Sequence, residues 1–522
     1  MKEVCRILQK HLRPNVNVWV FGSRVEWTTH DGSDLDLAVE GDRPIDHNTM
    51  INLSIAFDDS DLPYKVDVID LNQVSDTFRQ IVDSQKVPLP DRNIPDNNKI
   101  CLRDVAEIIM GHSPPGFTYN TTGTGMVFFQ GVKDFNRRYP SPRVFCSAPS
   151  RIAQSGDILF SVRAPIGRIN IADRECAIGR GLAIIRCPNN ATDTHYIEFL
   201  LQCMESVWSA MDSGGTVFGN ATKKDLENLP IRWPSVQERQ ITSRILCALE
   251  DKIELNRRMN QTLEEMTRAL FKSWFVDFEP VRAKMDGRWR PGKSLPGLPA
   301  PLYDLFPDKL VDSKLGNIPE GWTINVFGNC FSLTMGQSPP SDTYNDEGEG
   351  LPFFQGSTDF GLRYPRNRKY CTAPTRVARA DDTLVSVRAP VGTINMAWEK
   401  CCIGRGVAAL RHKTGSRSFT YYFVWSLQHD LKQYEQMGTV FGAITKKQFE
   451  MLPIIEPPTD LINCFEARVF AWDERIRLNT SESRSLMLHR DALMPKLISG
   501  EFRPANFIRS AGGRNANETR VH

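Results

Sequence analysis

The chain lacks the long apolar run that a membrane protein needs. None of its apolar segments reaches the roughly 18 residues of a membrane-spanning helix, and Met1–Arg6 lacks the apolar stretch of a secretion signal. Twelve cysteines are present, but no two have the Cys-x-x-Cys spacing of a zinc knuckle. We therefore expect a cytoplasmic protein without membrane contact, whose cysteines are small apolar core residues rather than metal ligands.

A duplication dominates the rest of the sequence. Several motifs recur at an offset of 225 residues, and Gly-Thr-Val-Phe-Gly recurs at 223. An offset this long indicates two copies of one domain rather than a solenoid of 20–50-residue units. The repeated segments are Gly-x-Ser-Pro-Pro at 111–115 and 336–340, Gln-Gly at 130–131 and 355–356, Ser-Val-Arg-Ala-Pro at 161–165 and 386–390, Ile-Gly-Arg-Gly at 178–181 and 403–406, and Gly-Thr-Val-Phe-Gly at 215–219 and 438–442.

Charge is distributed unevenly along the chain. Residues 1–98 hold 10 Lys and Arg against 17 Asp and Glu, whereas the remainder holds 54 against 45. The net charges are −7 and +9, so only the duplicated part is suited to face a polyanion. A surplus of nine over so many residues is also ordinary for a solvated surface, and charge alone does not establish nucleic-acid binding.

A long helix is expected after each copy. Residues 236–275 contain neither Pro nor Gly, and their apolar residues alternate in steps of three and four, as in a coiled coil. The second copy repeats this pattern in register, with Asn256 matched by Asn479. These helices either pair with each other or pack on their own domains. If they pair antiparallel about a pseudo-twofold axis, Asn256 and Asn479 should lie close together.

The duplicated part resembles the specificity subunit of type I restriction–modification enzymes. The resemblance covers about residues 99–505 and is carried by the repeated motifs, the Leu-Pro closings at 229–230 and 452–453, and the run Trp274–Lys284. It implies two target-recognition domains, each reading half of a bipartite site in double-stranded DNA, and an antiparallel coiled coil between them. It also implies partners: two modification subunits that methylate adenine with S-adenosylmethionine, and an ATP-driven restriction subunit.

Catalytic motifs for those reactions are absent from this chain. It has no Asp/Asn-Pro-Pro-Tyr/Phe motif of an amino-methyltransferase, no P-loop and no obvious nuclease cluster. Methylation and cleavage would therefore belong to the partner chains, and the specificity subunit itself would be non-catalytic.

Basic residues in the copies are candidates for DNA contact, because phosphates bind cations and short polar loops read base edges. Arg163/Arg388 and Arg180/Arg405 lie in the most strictly repeated segments, where they either contact phosphate or brace a turn. Base reading is expected where the copies differ, as at Asn136-Arg137 against Gly361-Leu362 and Gly116-Phe117 against Ser341-Asp342. The other candidates are Arg137, Arg138, Arg143, Lys223 and Lys224 in the first copy and Arg363, Arg366, Arg368, Lys369, Lys446 and Lys447 in the second.

The first ninety residues carry a different pattern. Gly22-Ser23 follows a predicted strand, Asp34-x-Asp36 begins another, and Asp67 lies on a third. This resembles the minimal nucleotidyltransferase domain of the polymerase-β superfamily. The resemblance implies that Asp34, Asp36 and Asp67 hold Mg²⁺ and that Gly22 and Ser23 approach the phosphates of a nucleoside triphosphate. The alternatives are a retained fold without activity, or a protein-docking role.

The sequence thus predicts an α/β (α+β) protein: a nucleotidyltransferase-like domain, then two recognition domains, each followed by a long helix. A DNA specificity subunit is the first functional hypothesis. The second is nucleotidyl transfer that the repeats target to DNA. The predicted boundaries are 1–90 for the N-terminal domain, 91–98 for a linker, 99–234 and 321–457 for the recognition domains, 235–276 and 458–502 for the helices, 277–320 for a Pro/Gly-rich linker and 503–522 for a disordered tail.

Overall fold

The computed structural model describes residues 2–13, 16–22, 34–60, 62, 64–89, 100–188, 191–213, 220–436 and 442–502. Ser23, the predicted linker 91–98 and the tail 503–522 lie outside these ranges, as do the first Gly-Thr-Val-Phe-Gly segment (215–219) and residues 438–441 of the second. The chain divides into two compact units, residues 1–251 with 487–522 and residues 252–486. None of the described helices combines the length and apolar composition that a membrane span requires.

The described residues of the N-terminal domain form a small four-stranded sheet with three helices. The strand order is β3-β2-β1-β4, in which β2 and β3 are parallel and β1 is antiparallel to both β2 and β4. Leu37, Leu53 and Phe57 belong to its apolar core. The elements are α1 Lys2–His11, β1 Asn17–Phe21, β2 Leu35–Glu40, α2 His47–Asp58, β3 Val66–Asp70, α3 Asp76–Gln85 and β4 Val87–Pro88.

Where it is described, the first recognition domain forms two sheets and a short strand pair. The sheets have the orders β10-β13-β8-β9-β7 and β12-β11-β14-β6, and β15 pairs with β5. Its strands are β5 Ile100–Cys101, β6 Glu107–Met110, β7 Tyr119–Asn120, β8 Met126–Phe129, β9 Val144–Cys146, β10 Ile152–Ala153, β11 Ile158–Ser161, β12 Ile169–Ile171, β13 Cys176–Ile178, β14 Leu182–Arg186 and β15 Pro230–Ile231. Its helices are α4 Ala191–Gln202, α5 Glu205–Ser213 and α6 Lys223–Glu227.

A forty-residue helix, α7 (Val236–Phe275), follows this domain. The segment after it, predicted as a linker, is folded instead: it forms α8 (Glu279–Met285) and the hairpin β16 (Leu310–Ser313) and β17 (Gly316–Pro319). Its Trp289 is only 1% exposed and belongs to the core of the second unit. Proline and glycine therefore shape local turns here without preventing the aromatic residues between them from packing.

The second recognition domain repeats the first strand by strand. Its sheets have the orders β23-β26-β21-β22-β20 and β25-β24-β27-β19, and β28 pairs with β18. The strands are β18 Thr323–Val326, β19 Phe331–Met335, β20 Tyr344–Asn345, β21 Leu351–Phe354, β22 Tyr370–Cys371, β23 Val377–Ala378, β24 Thr383–Ser386, β25 Ile394–Met396, β26 Cys401–Ile403, β27 Val407–His412 and β28 Pro453–Glu456. The helices are α9 Phe327–Cys330, α10 Arg417–Ser426, α11 Gln428–Gln436, α12 Lys446–Glu450 and the long α13 Thr459–Ser499.

Polar side chains join the two long helices inside the second unit. Asn479 Nδ2 donates to Asn260 Oδ1 at 2.9 Å, and Asn256 Nδ2 donates to Ser483 Oγ at 3.3 Å. These pairs run in opposite chain directions, so α7 and α13 are antiparallel there. Asn256 and Asn479 lie about one helical turn apart, which confirms the expected register. Buried polar pairs of this kind favour one register of paired helices over others.

Candidate functional site

The N-terminal carboxylates converge at one end of the small sheet. Asp36 on β2 lies directly opposite Asp67 on the parallel strand β3, and Asp34 immediately precedes β2. Gly22, at the end of β1, has φ +77°, and a Cβ at this position would overlap the carboxylate of Asp36. Only glycine therefore allows the backbone to approach this carboxylate so closely.

Within this carboxylate cluster, Asp36 is the residue whose ionised form is least stabilised by its surroundings. Burial, followed by the charges of Asp67 and Asp34, raises the pKa of Asp36 above its ordinary value. Lys65 Nζ lies 2.6 Å from Asp67 Oδ1, and the hydrogen bond to Asp67 raises the pKa of the Lys65 amine. Asp67 thus has a cationic partner. The raised pKa of Asp36 means that its ionised form is unfavourable beside the other carboxylates, and a bound cation would stabilise that form.

The donor chemistry of this cluster suits Mg²⁺, which prefers carboxylate oxygens. Across the described ranges, however, no three His, Cys, Asp or Glu side chains are grouped closely enough to hold a metal. Ser23, the predicted phosphate donor, lies outside those ranges. The Mg²⁺ site therefore stays a prediction that rests on Asp34 and Asp36, with Asp67 held by Lys65.

Three predicted arginines of the first recognition domain meet at one cavity. The cavity has a volume of about 380 Å³, and its lining includes Arg143, Arg163 and Arg180 together with Gln130 and Lys133. All three arginines are exposed. The sequence placed them in three separate segments, and the fold brings these segments together.

Hydrogen bonds or a backbone bridge fix the position of each of these arginines, and we call these interactions the framework. Arg143 Nη2 donates to Asp134 Oδ1 at 2.7 Å, and Asp134 also accepts from the backbone N–H of Gln130 at 3.0 Å. The backbone N–H of Arg180 donates to Ser113 Oγ at 3.2 Å, and its Nε donates to the same atom at 3.3 Å. Arg163 pairs through its backbone with Asn220 in an isolated bridge. The framework is therefore braced largely by backbone groups.

The second copy preserves this framework. Arg368 forms an ion pair with Asp359, the backbone N–H of Arg405 donates to Ser338 Oγ at 3.4 Å, and Arg388 forms the isolated bridge with Ala443. The side chains of Arg163, Arg388 and Arg405 have no hydrogen bond or ion pair with another described residue. The sequence predicted that these arginines either contact phosphate or brace a turn. Their guanidinium groups brace no turn among the described residues, so they are available to contact an anion.

Two other candidates are buried instead. Arg363 is 3% exposed, and its guanidinium contacts Glu264 Oε1 at 3.0 Å and Asp473 Oδ1 at 3.1 Å. Arg138 is 6% exposed and contacts Asp251 Oδ1 at 2.5 Å and Glu198 Oε1 at 3.7 Å. Because both guanidinium groups are largely buried and already paired with carboxylates, neither is placed to contact a phosphate in this conformation, and we remove both from the candidate DNA contacts.

Burial and charge oppose each other at these buried arginines. At Arg363, burial lowers the pKa, but the carboxylates of Asp473 and Glu264 raise it well above its ordinary value. At Arg138, Glu198 and Asp251 likewise overcome the effect of burial, and the pKa is raised. Each repeat thus uses the equivalent arginine to hold its recognition domain on long-helix carboxylates within its own unit.

The remaining candidates lie at the edges of the domains. Arg137 is half-buried and contacts Glu250 Oε2 at 3.1 Å, so it faces α7. Lys223 and Lys224 begin α6, and Lys446 and Lys447 begin α12; all four are exposed. Arg366 is exposed, and Lys369 is exposed within 3.5 Å of Asp346.

Sequence reasoning missed the acidic residues that orient the arginines. Asp134 and Asp359 hold Arg143 and Arg368, and they are 225 residues apart like the motifs beside them. That repeat spacing was a signal that could have identified them. Lys65, which forms an ion pair with Asp67, has no comparable signal in the sequence. A lysine two residues from an aspartate can pair with it or with any other nearby carboxylate, and the sequence does not distinguish these cases.

The same fold is present twice, and each copy exposes arginines on the same hydrogen-bonded framework, so the protein has two equivalent modules. The model of the type I restriction modification DNA specificity domain matches residues 95–265 and 319–461, more than half of the chain. The chain therefore belongs to the family of type I restriction–modification specificity subunits.

Individual relatives agree with this assignment. The chain is 29% identical over 361 residues to a specificity subunit assigned to the type I restriction enzyme MjaX of Methanocaldococcus jannaschii, covering 67% of this chain and 79% of that protein. It is 26% identical over 406 residues to the HindI specificity subunit of Haemophilus influenzae, covering 67% and 87%. A crystal structure of the type I S subunit from M. genitalium shares the fold, with a TM-score of 0.50 at 16% identity over 78% of this chain and 98% of that one.

The N-terminal domain has separate relatives. Residues 2–94 match the polymerase beta nucleotidyltransferase family. Over 79 residues the chain is 39% identical to a probable protein adenylyltransferase, MntA, of Haemophilus influenzae, covering 15% of this chain and 69% of that protein. The chain thus carries a nucleotidyltransferase-like domain in residues 2–94.

Proposed function

We propose that each recognition domain binds one half of a bipartite site in double-stranded DNA through its exposed arginines. Arg143, Arg163 and Arg180 would act in the first domain, and Arg368, Arg388 and Arg405 in the second. The observation that carries the proposal is the cavity that gathers the first three on a framework repeated in the second copy. Arg366, Lys369 and the lysines of α6 and α12 would add outer phosphate contacts.

Two kinds of contact with DNA would have different roles in this binding. Contacts to phosphates fix position and orientation, whereas contacts to base edges in the grooves carry sequence information. Guanidinium groups held by Asp134 and Asp359 are oriented before DNA arrives, which lowers the entropy lost on binding. The differing loops would then select the bases of each half-site.

The partners of this subunit follow from its family. We propose that two modification subunits dock on the chain and methylate adenine with S-adenosylmethionine, and that a restriction subunit that consumes ATP joins them. The pairing of α7 with α13, with its buried asparagines, supports a defined register for such an assembly.

A domain exchange tests the proposal. In a complex with its modification subunits, we expect the chain to direct methylation to one motif with two half-sites separated by a fixed number of unspecified base pairs. Replacing residues 321–457 with a second copy of residues 99–234 should convert this motif into two identical half-sites in inverted orientation. Sequencing of methylated adenines in host DNA measures both motifs. An unchanged motif in the exchanged chain, or a continuous motif in the wild type, would contradict the proposal.

For the N-terminal domain we propose binding of a nucleoside triphosphate with Mg²⁺ at Asp34 and Asp36. The specific observation is that Asp36 lies opposite Asp67 and close to Asp34 at one end of the sheet, where burial and these two carboxylates raise the pKa of Asp36. The ion, when bound, would neutralise phosphate charge, while Gly22 leaves room for the approach of the ligand to Asp36.

Replacing Asp36 with asparagine should separate function from stability. Because the folded-state pKa of Asp36 is raised, the free energy of folding becomes less favourable as the pH rises through the range between the unfolded and folded pKa values. Without Mg²⁺ at neutral pH, Asp36→Asn should therefore slow hydrogen exchange in β2 and β3 relative to the wild type. Addition of Mg²⁺ and ATP should slow exchange in the wild type and leave the variant unchanged.

Asp70 on the same sheet provides the matched control. It is buried and accepts hydrogen bonds from the backbone N–H groups of Ile45 at 2.7 Å and Asn72 at 3.0 Å. Asp70→Asn should therefore speed exchange in β3 with or without ligand. If Asp36→Asn also speeds exchange, Asp36 is a structural residue and the proposed ligand site is wrong.

A further inference from the structure

The most exposed large apolar side chain among the described residues is Phe117, at 90%. It lies in the short helical turn Gly116–Thr118, four residues after Ser113, which lines the arginine cavity. Exposure of a phenyl ring in water is unfavourable, and this position contributes nothing to the core. Such a side chain, on a turn that closely follows a cavity-lining residue in the chain, suggests a contact made only when DNA is bound.

The backbone around Phe117 is tightly braced. Tyr119 Oη donates to the carbonyl of Pro114 at 2.7 Å, and Thr118 Oγ1 donates to the carbonyl of Pro115 at 2.7 Å. Phe117 therefore projects from a fixed turn. A rigid turn holds an exposed side chain in place with little loss of entropy on binding.

The second copy has the same turn with a different side chain. Tyr344 Oη donates to the carbonyl of Pro339 at 2.8 Å, and Thr343 Oγ1 donates to the carbonyl of Pro340 at 2.7 Å. At the position equivalent to Phe117 stands Asp342, which is also exposed. Two equally braced turns thus present opposite chemistries, one apolar and one anionic.

We propose that Phe117 and Asp342 are equivalent base-reading residues with different preferences. Phe117 would contact the C5-methyl group of a thymine in the major groove of the first half-site. Asp342 would accept a hydrogen bond from the N4 amino group of a cytosine at the corresponding position of the second half-site. Both pairings follow from the groups that the bases present in this groove. The inference rests on the DNA-binding function proposed above and adds residues and bases to it.

Charge supports the assignment of Asp342 to a base rather than to the backbone. Phosphates repel a carboxylate, so an aspartate on a DNA-binding face is favourable only opposite a donor such as the cytosine amino group. The bracing also explains why the side chain can differ between copies, because all the bonds that hold the turn come from its neighbours.

Single substitutions test the inference in the assembled complex with the modification subunits. Phe117→Asp should reduce the preference for T·A at one position of the first half-site by ~10-fold, the lower part of the range that one mismatched base pair costs. Asp342→Phe should reduce the preference for C·G at one position of the second half-site, leaving the first unchanged. Phe117→Leu keeps an apolar contact and should retain T·A. Methylation rates on a pool of randomised half-sites measure all three.

Leu315→Asp provides the control, because Leu315 is 40% exposed in the β16–β17 hairpin and should leave every base preference unchanged. If Phe117→Asp leaves the preferred bases intact, the inference is wrong. If it instead weakens association with the modification subunits, the phenyl ring is a protein contact, and the inference is also overturned. The absence of any bipartite motif with the wild-type chain would refute the proposed function itself, which is a distinguishable result.

Discussion

Replacement of Arg363 by alanine is expected to destabilise the unit formed by residues 252–486 by about 3–5 kcal/mol, because it leaves buried carboxylates without their cation. Glu264 and Asp473 are 2% and 3% exposed, and both contact this guanidinium. Tyr421 also packs against it, with the guanidinium carbon 3.7 Å from the ring centroid. Denaturant unfolding of the full chain, followed by hydrogen exchange in α10, would measure the loss.

Two further variants locate the cause of that loss. Arg368→Ala removes an arginine that is 61% exposed, and it should change stability by less than about 1 kcal/mol. Combining Arg363→Met with Glu264→Leu and Asp473→Leu should recover much of the stability, since apolar replacements leave no buried charge unpaired. If the Arg363→Ala variant unfolds at the same denaturant concentration as the wild type, the buried ion cluster does not stabilise the unit formed by residues 252–486.

Simultaneous replacement of Arg143, Arg163 and Arg180 by alanine is expected to lower DNA affinity on the order of 100-fold. The slope of log affinity against log salt concentration should fall by about 2–3, since each lost phosphate contact releases about 0.9 fewer counterions. Fluorescence anisotropy of the assembled complex with labelled duplex, at several salt concentrations, would measure both quantities. Loss of Arg163 and Arg180, which are exposed, should change thermal stability little, whereas loss of Arg143 should lower it modestly because the buried Asp134 loses its cation.

Three arginines elsewhere in the same unit provide a charge-matched control. Arg103, Arg174 and Arg244 are exposed and do not line the cavity. Their replacement by alanine removes the same net charge, and we expect nearly wild-type affinity and salt slope. An equal loss of affinity in both triple variants would mean that net charge, and not the arginine cavity, accounts for the binding.

The architecture was readable from the sequence because its signals are local or repeated. Residues 236–275 lack helix breakers, and the predicted helix 235–276 matches α7 within one residue at each end. The stretch Thr194–Met211 also lacks helix breakers, yet it forms parts of two helices, α4 and α5, that are interrupted at Cys203 and Met204. No proline or glycine marks that break, so it follows from packing that a local pattern does not contain.

The candidate site was only partly readable. Arg138 and Arg143 lie five residues apart in one loop, yet one is buried and the other exposed. The difference depends on Asp251, more than a hundred residues away, and on Asp134 nearby. A basic residue in a loop has the same appearance in both cases, because its exposure is decided by the partner that the fold supplies. The spacing of the repeated motifs therefore identified the segments that form the site, but it did not show which of their side chains are exposed.

The braced turns at Phe117 and Asp342 have a consequence for how specificity changes over time. Their hydrogen bonds use prolyl carbonyls, a tyrosine and a threonine, and none uses the side chain that faces outward. A codon at this position can therefore mutate without a penalty in folding. If these residues read bases, new target sequences become accessible one base at a time while the scaffold that presents them stays unchanged.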